Sequence, residues 1–167
     1  MKIRNVHERV VAAPIEDVGA LLDSLSSKSD RLWPIRWPPM RFDRPLGVGA
    51  IGGHGPIRYE VEEYSAGRLV RFRFTSPEGF HGSHRFEVSG LPNGETRLRH
   101  VLEMDPSGGS RISWPIAFRP LHDALLEDSL DRAEVSLGIS PARFSEWSWY
   151  VRVLRWVMRV LGRKKPR

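Results

Sequence analysis

The sequence predicts an α+β fold in which a curved antiparallel β-sheet wraps around a long C-terminal helix, with an extra amphipathic helix after it. Two observations support this class. One strand and one helix precede four alternating strand-like runs, and a long helix follows them. The length of 167 residues suits one core better than two. A sheet that curves over a single helix leaves a hollow, so we expect a cavity for a small molecule.

The first elements are a strand over residues 3–12 and a helix that begins at Ala13-Pro14. Acidic residues in the first turn of that helix suit the positive end of its dipole. The segment 33–39 contains three prolines, which exclude a regular helix. It also contains two tryptophans, whose large side chains are expected to be shielded from water. We expect Trp33 and Trp37 to form a lid or a wall of the cavity.

The glycine-rich segment 47–56 contains a literal G-x-G-x-x-G. That motif binds a dinucleotide only where a helix begins at the glycines, so that its amides meet the pyrophosphate. Here Gly53, Gly55 and Pro56 prevent a helix, and a strand follows. We therefore expect a flexible turn between two strands, and no dinucleotide cofactor.

Four runs, over residues 57–61, 70–74, 84–88 and 97–104, alternate between apolar and charged residues. Such alternation is typical of antiparallel strands that bury one face. The inward positions include two histidines among apolar residues: Ile57, Tyr59, Val61, Val70, Phe72, Phe74, His84, Phe86, Val88, Leu98, His100, Leu102 and Met104.

The long helix is predicted over residues 111–137, with Ser113 as its cap and Pro120 either kinking or restarting it. Four acidic residues fall on one narrow stripe of this helix, which we expect to face water. The stripe comprises Asp123, Glu127, Asp131 and Glu134, and the opposite side carries His122, Leu125 and Ser129. We expect Asp128 to pair with Arg132, four residues along the same flank.

Basic charge is concentrated at the C-terminus. Residues 1–140 hold 18 Lys/Arg against 19 Asp/Glu, whereas residues 141–167 hold 8 against Glu146 alone. We expect two units, a ligand-binding domain over residues 1–138 and a basic amphipathic helix and tail over residues 139–167. Ser140-Pro141 is predicted to start the helix.

The charge and the tryptophan border of this last helix favour a position in an anionic membrane interface. The predicted membrane contacts are Trp149, Arg152, Arg155, Trp156, Arg159 and Arg163. The alternative is that this helix packs on residues 1–138 or on a second subunit, and in the second case the protein would be a homodimer. Nucleic acid is the least favoured partner, because the aromatic residues share the apolar side of the helix.

Three features resemble the START-related superfamily of polyketide cyclases and lipid-transfer proteins, which includes the Bet v 1-like helix-grip proteins. They are the segment Val10–Val18, the glycine-rich turn before Tyr59–Tyr64, and the final long helix. The resemblance implies a helix-grip fold with a cavity over residues 3–138. Gly19 stands where many members carry a bulky residue, so we expect it to enlarge or reshape the cavity. Residues 139–167 lie beyond the usual fold.

Four histidines are candidates for chemistry: His54, His84, His100 and His122. The loop between their strands predicts that His84 and His100 are cross-strand or diagonal neighbours, which makes them the catalytic candidates. Their alternative is structural, each ring satisfied by a hydrogen bond in the core. The absence of cysteine and of H-x-H or H-E-x-x-H spacing predicts no metal site and no cofactor.

The favoured function is binding or transport of a hydrophobic small molecule or lipid at a membrane surface, by a cytoplasmic protein, since the opening residues lack a signal peptide. A cyclase or dehydratase using the inward histidines is the alternative, and an interaction module is a third. The predicted pocket residues are Trp33, Trp37, Tyr59, Phe72, Phe74, His84, Phe86, His100, Trp114, Phe118, His122 and Leu125.

Overall fold

The computed structural model describes residues 2–162, and the side chains of residues 2–160. Its strands are β1 (Ile3–Val11), β2 (Arg41–Phe42), β3 (Ile51–His54), β4 (Ile57–Ser65), β5 (Leu69–Ser76), β6 (Phe80–Gly90) and β7 (Thr96–Pro106). Its helices are α1 (Ile15–Asp23), α2 (Ser110–Ser113), a π-helical turn (Trp114–Phe118), α3 (Arg119–Ser136) and α4 (Trp149–Gly162).

All seven strands form one antiparallel sheet in the order β1-β7-β6-β5-β4-β3-β2. The predicted fold class is confirmed, because α3 packs against this sheet in the helix-grip arrangement. The four alternating runs are β4 to β7. The glycine-rich segment supplies the short strand β3, although this segment was predicted to be a turn.

The core lies between the sheet and the inner side of α3. That side contributes Leu125, Leu126, Leu130 and Ala133, which are all at most 3% exposed. They join the inward strand residues and the buried side of α1 in one apolar cluster. Burial of apolar side chains is the main favourable term in folding, so these residues determine how α3 packs on the sheet.

The acidic stripe of α3 packs against β1, so the expectation that it faces water was wrong for Asp131 and Glu134, whereas the side chains of Asp123 and Glu127 are 37% and 39% exposed. Asp131 and Glu134 are only 5% and 9% exposed. Arg9 of β1 donates hydrogen bonds to both of them and to Glu127. The physical reason is that the inward face of β1 is itself polar, so the acidic stripe of α3 has charged partners across the interface.

The helical segment before α3 runs without a break from Ser110, so Ser113 is not its cap. The prolines are accommodated by the π-helical turn, in which Arg119 N–H donates to Trp114 O. Pro120 has no N–H for the carbonyl of Ile116, four residues earlier. The hydroxyl of Tyr150 donates to that carbonyl at 2.7 Å. A residue of α4 therefore satisfies the group that the proline leaves free.

The last helix begins at Trp149, so the prediction of a start at Ser140-Pro141 was wrong. The preceding residues are held in an irregular path by α3, since Ser145 N–H donates to Asp131 Oδ2 at 2.7 Å. The hydroxyl of Ser148 accepts the N–H of Val151 at 3.2 Å, which is the bond expected of an N-cap.

Gly19 does not reshape the cavity, contrary to expectation. It lies against Gly67 in the β4–β5 turn, where a Cβ on residue 19 would stand 2.6 Å from the carbonyl oxygen of Gly67. The missing side chain allows α1 to approach this turn closely. The glycine is therefore required by backbone packing.

Candidate functional site

A cavity of about 90 Å³ lies between the sheet, the helical segment 114–125, the β3–β4 turn and α4. Its lining is apolar apart from three imidazole rings. The lining residues are Trp37, Pro38, His54, Gly55, Pro56, Ile57, Phe74, Phe80, His84, Leu102, Trp114, Phe118, Leu121, His122, Leu125 and Met158.

Seven of the twelve predicted pocket residues line this cavity: Trp37, Phe74, His84, Trp114, Phe118, His122 and Leu125. The other five do not line it: Trp33, Tyr59, Phe72, Phe86 and His100. Tyr59 and Phe72 have no exposed surface, and Phe86 and His100 have 1% each, so they pack behind the lining. Trp33 lies beside His54, with ring centroids 4.7 Å apart and the ring planes tilted by 52°.

Three lining positions on strands were readable in the sequence but were not assigned to the pocket, and one of them is Leu102, an inward residue of β7. Phe80 shares the alternation of β6 with His84, four residues on, so the same face was indicated. Ile57 occupies the equivalent inward position in β4. By contrast, Met158 comes from α4, and nothing in the sequence places that helix over the cavity.

His84 and His100 form a direct hydrogen bond, with Nδ1 of the first 3.1 Å from Nε2 of the second. Since His84 pairs with Leu102 and His100 with Phe86, the two histidines are diagonal neighbours, as predicted. The rings of His84 and Phe74 stack with centroids 4.9 Å apart. One nitrogen of the pair must donate and the other accept.

The histidine cluster extends beyond this pair. The His122 ring lies 5.1 Å from that of His100 and 5.8 Å from that of His7 on β1. His7 was not among the predicted site residues. Its signal in the sequence was its place in the alternation of β1, on the same face as Asn5 and Arg9.

Burial keeps the cavity histidines neutral. It lowers the pKa of His84 and of His100 well below the usual 6.5, and the neighbouring imidazoles add to this. Burial also lowers the pKa of His122, and it lowers the pKa of His54 to about 3. At neutral pH these rings present hydrogen-bonding nitrogens without charge.

Several of these nitrogens have no hydrogen-bond partner among the described residues. They are His84 Nε2, His100 Nδ1 and both ring nitrogens of His122. Buried polar groups in proteins are nearly always satisfied. Since His84 and His122 line the cavity, their free nitrogens mark where a guest or a bound ion would make polar contacts.

His7 differs from the cavity histidines because acidic groups surround it. Burial opposes its protonation, but hydrogen bonds and charge interactions with Asp123 and Glu127 outweigh burial and raise its pKa to about 9. Its Nδ1 lies 2.7 Å from Glu127 Oε1 and its Nε2 lies 3.1 Å from Asp123 Oδ1. Although burial opposes ionisation of Asp123, its hydrogen bonds lower the pKa of that carboxyl.

The contacts between α4 and the cavity wall centre on Arg155. Its guanidinium lies over the indoles of Trp37 and Trp147, at 3.9 Å and 4.1 Å from the ring centroids. Its Nη2 donates to the carbonyl oxygen of Arg36 at 2.5 Å. Arg155 therefore faces the body, so the prediction that it contacts a membrane was wrong.

Asp128 supports the same contact from α3. Its Oδ2 accepts hydrogen bonds from the indole N–H of Trp37 at 2.7 Å and of Trp147 at 2.9 Å. The expected ion pair between Asp128 and Arg132 was wrong, because Arg132 donates to the carbonyl oxygen of Asp30 instead. We call Trp37, Asp128, Trp147 and Arg155 the indole clasp.

The outer side of α4 combines apolar and basic residues. Trp149 and Trp156 are 75% and 62% exposed, and Arg152 and Arg159 are exposed beside them. Arg163, the remaining predicted membrane contact, lies outside the described residues. None of the helices in the described part of the chain has both the length and the apolarity to cross a membrane.

Comparisons of structure identify the fold as that of START- and Bet v 1-like proteins. A norcoclaurine synthase point mutant from Thalictrum flavum, solved with a transition-state analogue, matches at 16% identity and a TM-score of 0.61, over 83% of this chain and 96% of that chain. Ara h 8.0201 matches at 8% identity and 0.58, over 83% and 99%.

A protein from Nitrosospira multiformis also matches, at 14% identity and a TM-score of 0.60, over 79% of this chain and 95% of that chain. No protein-family model matches the sequence. No curated protein matches it significantly. At these identities the likeness establishes the fold, and the function has to be argued from the site.

Proposed function

We propose that this protein binds a hydrophobic small molecule with one polar end in the cavity between the sheet and α3. The observation that carries the proposal is the pairing of an apolar lining with the free nitrogens of His84 and His122. Apolar surface provides affinity, and a few convergent polar groups fix the orientation of a ligand. A hydroxyl or carbonyl group on the guest would satisfy these nitrogens.

The size of the cavity limits the guest. An engineered apolar cavity of about 150 Å³ holds benzene, so about 90 Å³ admits a smaller molecule while α4 is in place. A longer guest requires displacement of Met158, the side chain that α4 contributes to the lining. Methionine has three rotatable bonds and is 39% exposed here, so it is the lining residue best able to move.

Nuclear magnetic resonance of the full chain tests the binding proposal, with a short-chain alcohol as the probe that fits the cavity of about 90 Å³ and phenol as a larger probe that also requires Met158 to move. We expect saturable shifts of the methyl signals of Leu102, Leu125 and Met158. Leu121→Trp, which fills the cavity, should abolish them. Val135→Trp, on the exposed side of the same helix, should leave them unchanged. Absence of saturable shifts in the wild-type chain, or shifts that survive Leu121→Trp, would contradict the proposal.

A cyclase-like or dehydratase-like enzyme is the second candidate, and the hydrogen bond between His84 and His100 is the observation that favours it. A norcoclaurine synthase has the same fold, which supports this candidate by analogy. The lowered pKa of both imidazoles weighs against it, since a general base works best with a pKa near the working pH. We therefore place binding ahead of catalysis.

Deuterium exchange at the α-carbon of a small cyclic monoketone in D₂O separates these two functions, because a simple ketone exchanges this proton slowly without a general base. An enzyme with a competent base would accelerate the loss of the α-proton, and His84→Phe would remove the acceleration. A binding protein would shift the probe signals without faster exchange. Leu121→Trp, which should exclude the probe, reports any exchange that occurs outside the cavity.

The membrane part of the proposal concerns α4, which we place at an anionic lipid surface. Trp149 and Trp156 suit the interfacial depth of a bilayer, and Arg152 and Arg159 suit its anionic headgroups. Three exposed isoleucines outside α4 add apolar surface. Ile35 is 86% exposed, Ile112 is 67% exposed and Ile116 is 54% exposed. Ile116 and the neighbour of Ile35 contact α4, since Tyr150 donates to the carbonyl oxygen of Ile116 and Arg155 donates to that of Arg36.

Sedimentation with vesicles of phosphatidylglycerol and of phosphatidylcholine tests this part. We expect binding to the anionic vesicles, a loss of binding in the double variant Trp149→Ala/Trp156→Ala, and no loss in Val48→Ala, an exposed apolar residue outside the helix. Equal binding of all three proteins would contradict the proposal. So would a stable dimer in analytical ultracentrifugation that the tryptophan variant dissociates, because the surface would then join two copies.

A further inference from the structure

We propose that His7, His122 and Asp123 form a binding site for one divalent transition-metal ion, such as Zn²⁺, at the edge of the cavity. One ligand atom from each residue lies within 4.8 Å of the other two. Asp123 Oδ1 is 3.1 Å from His7 Nε2 and 3.7 Å from His122 Nδ1. In a tetrahedral zinc site the ligand atoms stand about 3.3 Å apart, so these two spacings need to change by only a few tenths of an ångström.

The sequence spacing predicted no metal site because the ligands come from different elements. His7 lies on β1, whereas His122 and Asp123 lie on α3, and 116 positions separate His7 from Asp123. Short motifs such as H-E-x-x-H detect only ligands that one helix carries. The antiparallel sheet and its gripped helix bring these three residues together.

His122 supplies an independent reason. Neither of its ring nitrogens has a hydrogen-bond partner among the described residues, and its side chain is only 15% exposed. The 3.7 Å between its Nδ1 and Asp123 Oδ1 is too long for a hydrogen bond. An unsatisfied, enclosed imidazole costs free energy, and coordination of an ion would satisfy one nitrogen.

The surroundings of His7 resemble those of a metal ligand. Its Nδ1 lies 2.7 Å from Glu127 Oε1, while its Nε2 points toward Asp123. Metal-binding histidines nearly always donate their other N–H to a carboxylate, a backbone carbonyl or water, which fixes the tautomer and the ring orientation. Glu127 in turn accepts a hydrogen bond from Arg9, so this supporting carboxylate is itself held in place.

The third ligand is also oriented by a neighbour. Asn5 Nδ2 donates to Asp123 Oδ1 at 2.9 Å. The Asp123 side chain is 37% exposed, which provides a path from solvent to the site. Two imidazoles and one carboxylate leave one position of a tetrahedral ion open. Because His122 also lines the cavity, an ion here would stand beside the bound guest.

Without a metal, a proton on His7 Nε2 occupies the same place and bridges to Asp123. The two arrangements are distinguished by titration of the chelator-treated full chain with Co²⁺, followed by visible absorption. We expect one equivalent to bind with the intense absorption of a four-coordinate site, and Zn²⁺ to displace it. In the wild-type chain, Co²⁺ should also broaden the imidazole signals of both His7 and His122.

Matched variants complete the test. His122→Gln and Asp123→Asn should abolish the absorption, and Glu127→Gln should weaken Co²⁺ binding by about ten- to hundred-fold through loss of the carboxylate that orients His7. His81→Gln, which removes an exposed histidine bonded to Ser107, should bind normally. Broadening confined to other histidines of the wild-type chain would overturn the proposal without reference to any variant. Absence of stoichiometric binding would do the same.

Discussion

The guanidinium carbon of Arg155 on α4 lies 3.9 Å from the centroid of the Trp37 indole in the cavity wall. The same guanidinium covers Trp147, and both indoles donate to Asp128. One side chain of the C-terminal helix is therefore joined to α3 and to the segment before β2. The indole clasp holds Met158 of the same helix at the cavity.

Removal of the guanidinium should release α4 locally. Arg155→Ala loses two cation–π contacts, each worth about 0.5–2 kcal/mol according to its exposure, and the bond to the carbonyl oxygen of Arg36. We expect the amides of residues 152–158 to exchange at least ten times faster with D₂O, as measured by mass spectrometry, with little change in the sheet. Guests should also enter and leave the cavity faster.

Arg159→Ala is the control for the loss of a positive charge, because Arg159 is exposed on the same helix, about one turn away. In Arg159→Ala the amides of residues 152–158 should exchange with D₂O at the wild-type rate. Equal protection of α4 in Arg155→Ala and in the wild type would show that the indole clasp does not hold the helix.

Asp128 should contribute to stability through the hydrogen bonds that it accepts from two indoles. Asp128→Ala leaves the N–H groups of Trp37 and Trp147 without their acceptor, and an unsatisfied buried donor costs about 1–3 kcal/mol. We expect the free energy of unfolding in urea to fall by about 2 kcal/mol. Glu78→Ala, an exposed acid in the loop before β6, should change it by less than about 0.5 kcal/mol. A neutral Asp128→Ala would mean that water replaces the carboxylate.

The sheet and the gripped helix were predictable because their signals are local. Alternation in the four runs fixed which face is buried, and it also placed His84 and His100 together. The length of the helical pattern indicated α3. These features depend on the periods of strand and helix, which a single sequence displays.

The wrong predictions concern polar side chains whose partners come from distant parts of the chain and meet them only in the folded protein. The acidic stripe of α3 looked like a solvent face because its partners, His7 and Arg9, lie on the first strand. Asp128 looked like half of a local ion pair because its two indole donors come from distant segments. Polar pairing between elements far apart in the chain leaves no periodic signal, so the cover that α4 gives to the cavity was also missed.

Gly19 should tolerate no side chain. In Gly19→Ala the new Cβ would stand 2.6 Å from the carbonyl oxygen of Gly67 and 2.8 Å from its Cα, so α1 or the β4–β5 turn would have to shift. We expect a loss of about 1–3 kcal/mol in the free energy of unfolding, as for other overpacked sites.

Gly109→Ala is the matched control for Gly19→Ala. Its φ is −62° and no atom lies within 4 Å of its added Cβ, so the change should be neutral or slightly stabilising. A loss of stability equal in the two variants would exclude close packing as the reason for Gly19.

Stability should decline as the pH falls through 6.5, because His84 and His100 resist protonation in the folded protein. Burial lowers both pKa values, whereas the unfolded chain takes up a proton on each ring near pH 6.5. The unfolded state then binds more protons, so acid favours it. Each histidine contributes a slope of up to about 1.4 kcal/mol per pH unit below that point.

Urea unfolding between pH 5 and 7 measures this effect. The double variant His84→Phe/His100→Phe should show a shallower decline than the wild type, whatever its stability at pH 7, because two proton-linked groups are gone. His81→Gln controls for the loss of an exposed imidazole and should retain the wild-type slope. An unchanged slope in the double variant would mean that the two rings take up protons as readily in the folded protein as in the unfolded chain, contrary to their lowered pKa values.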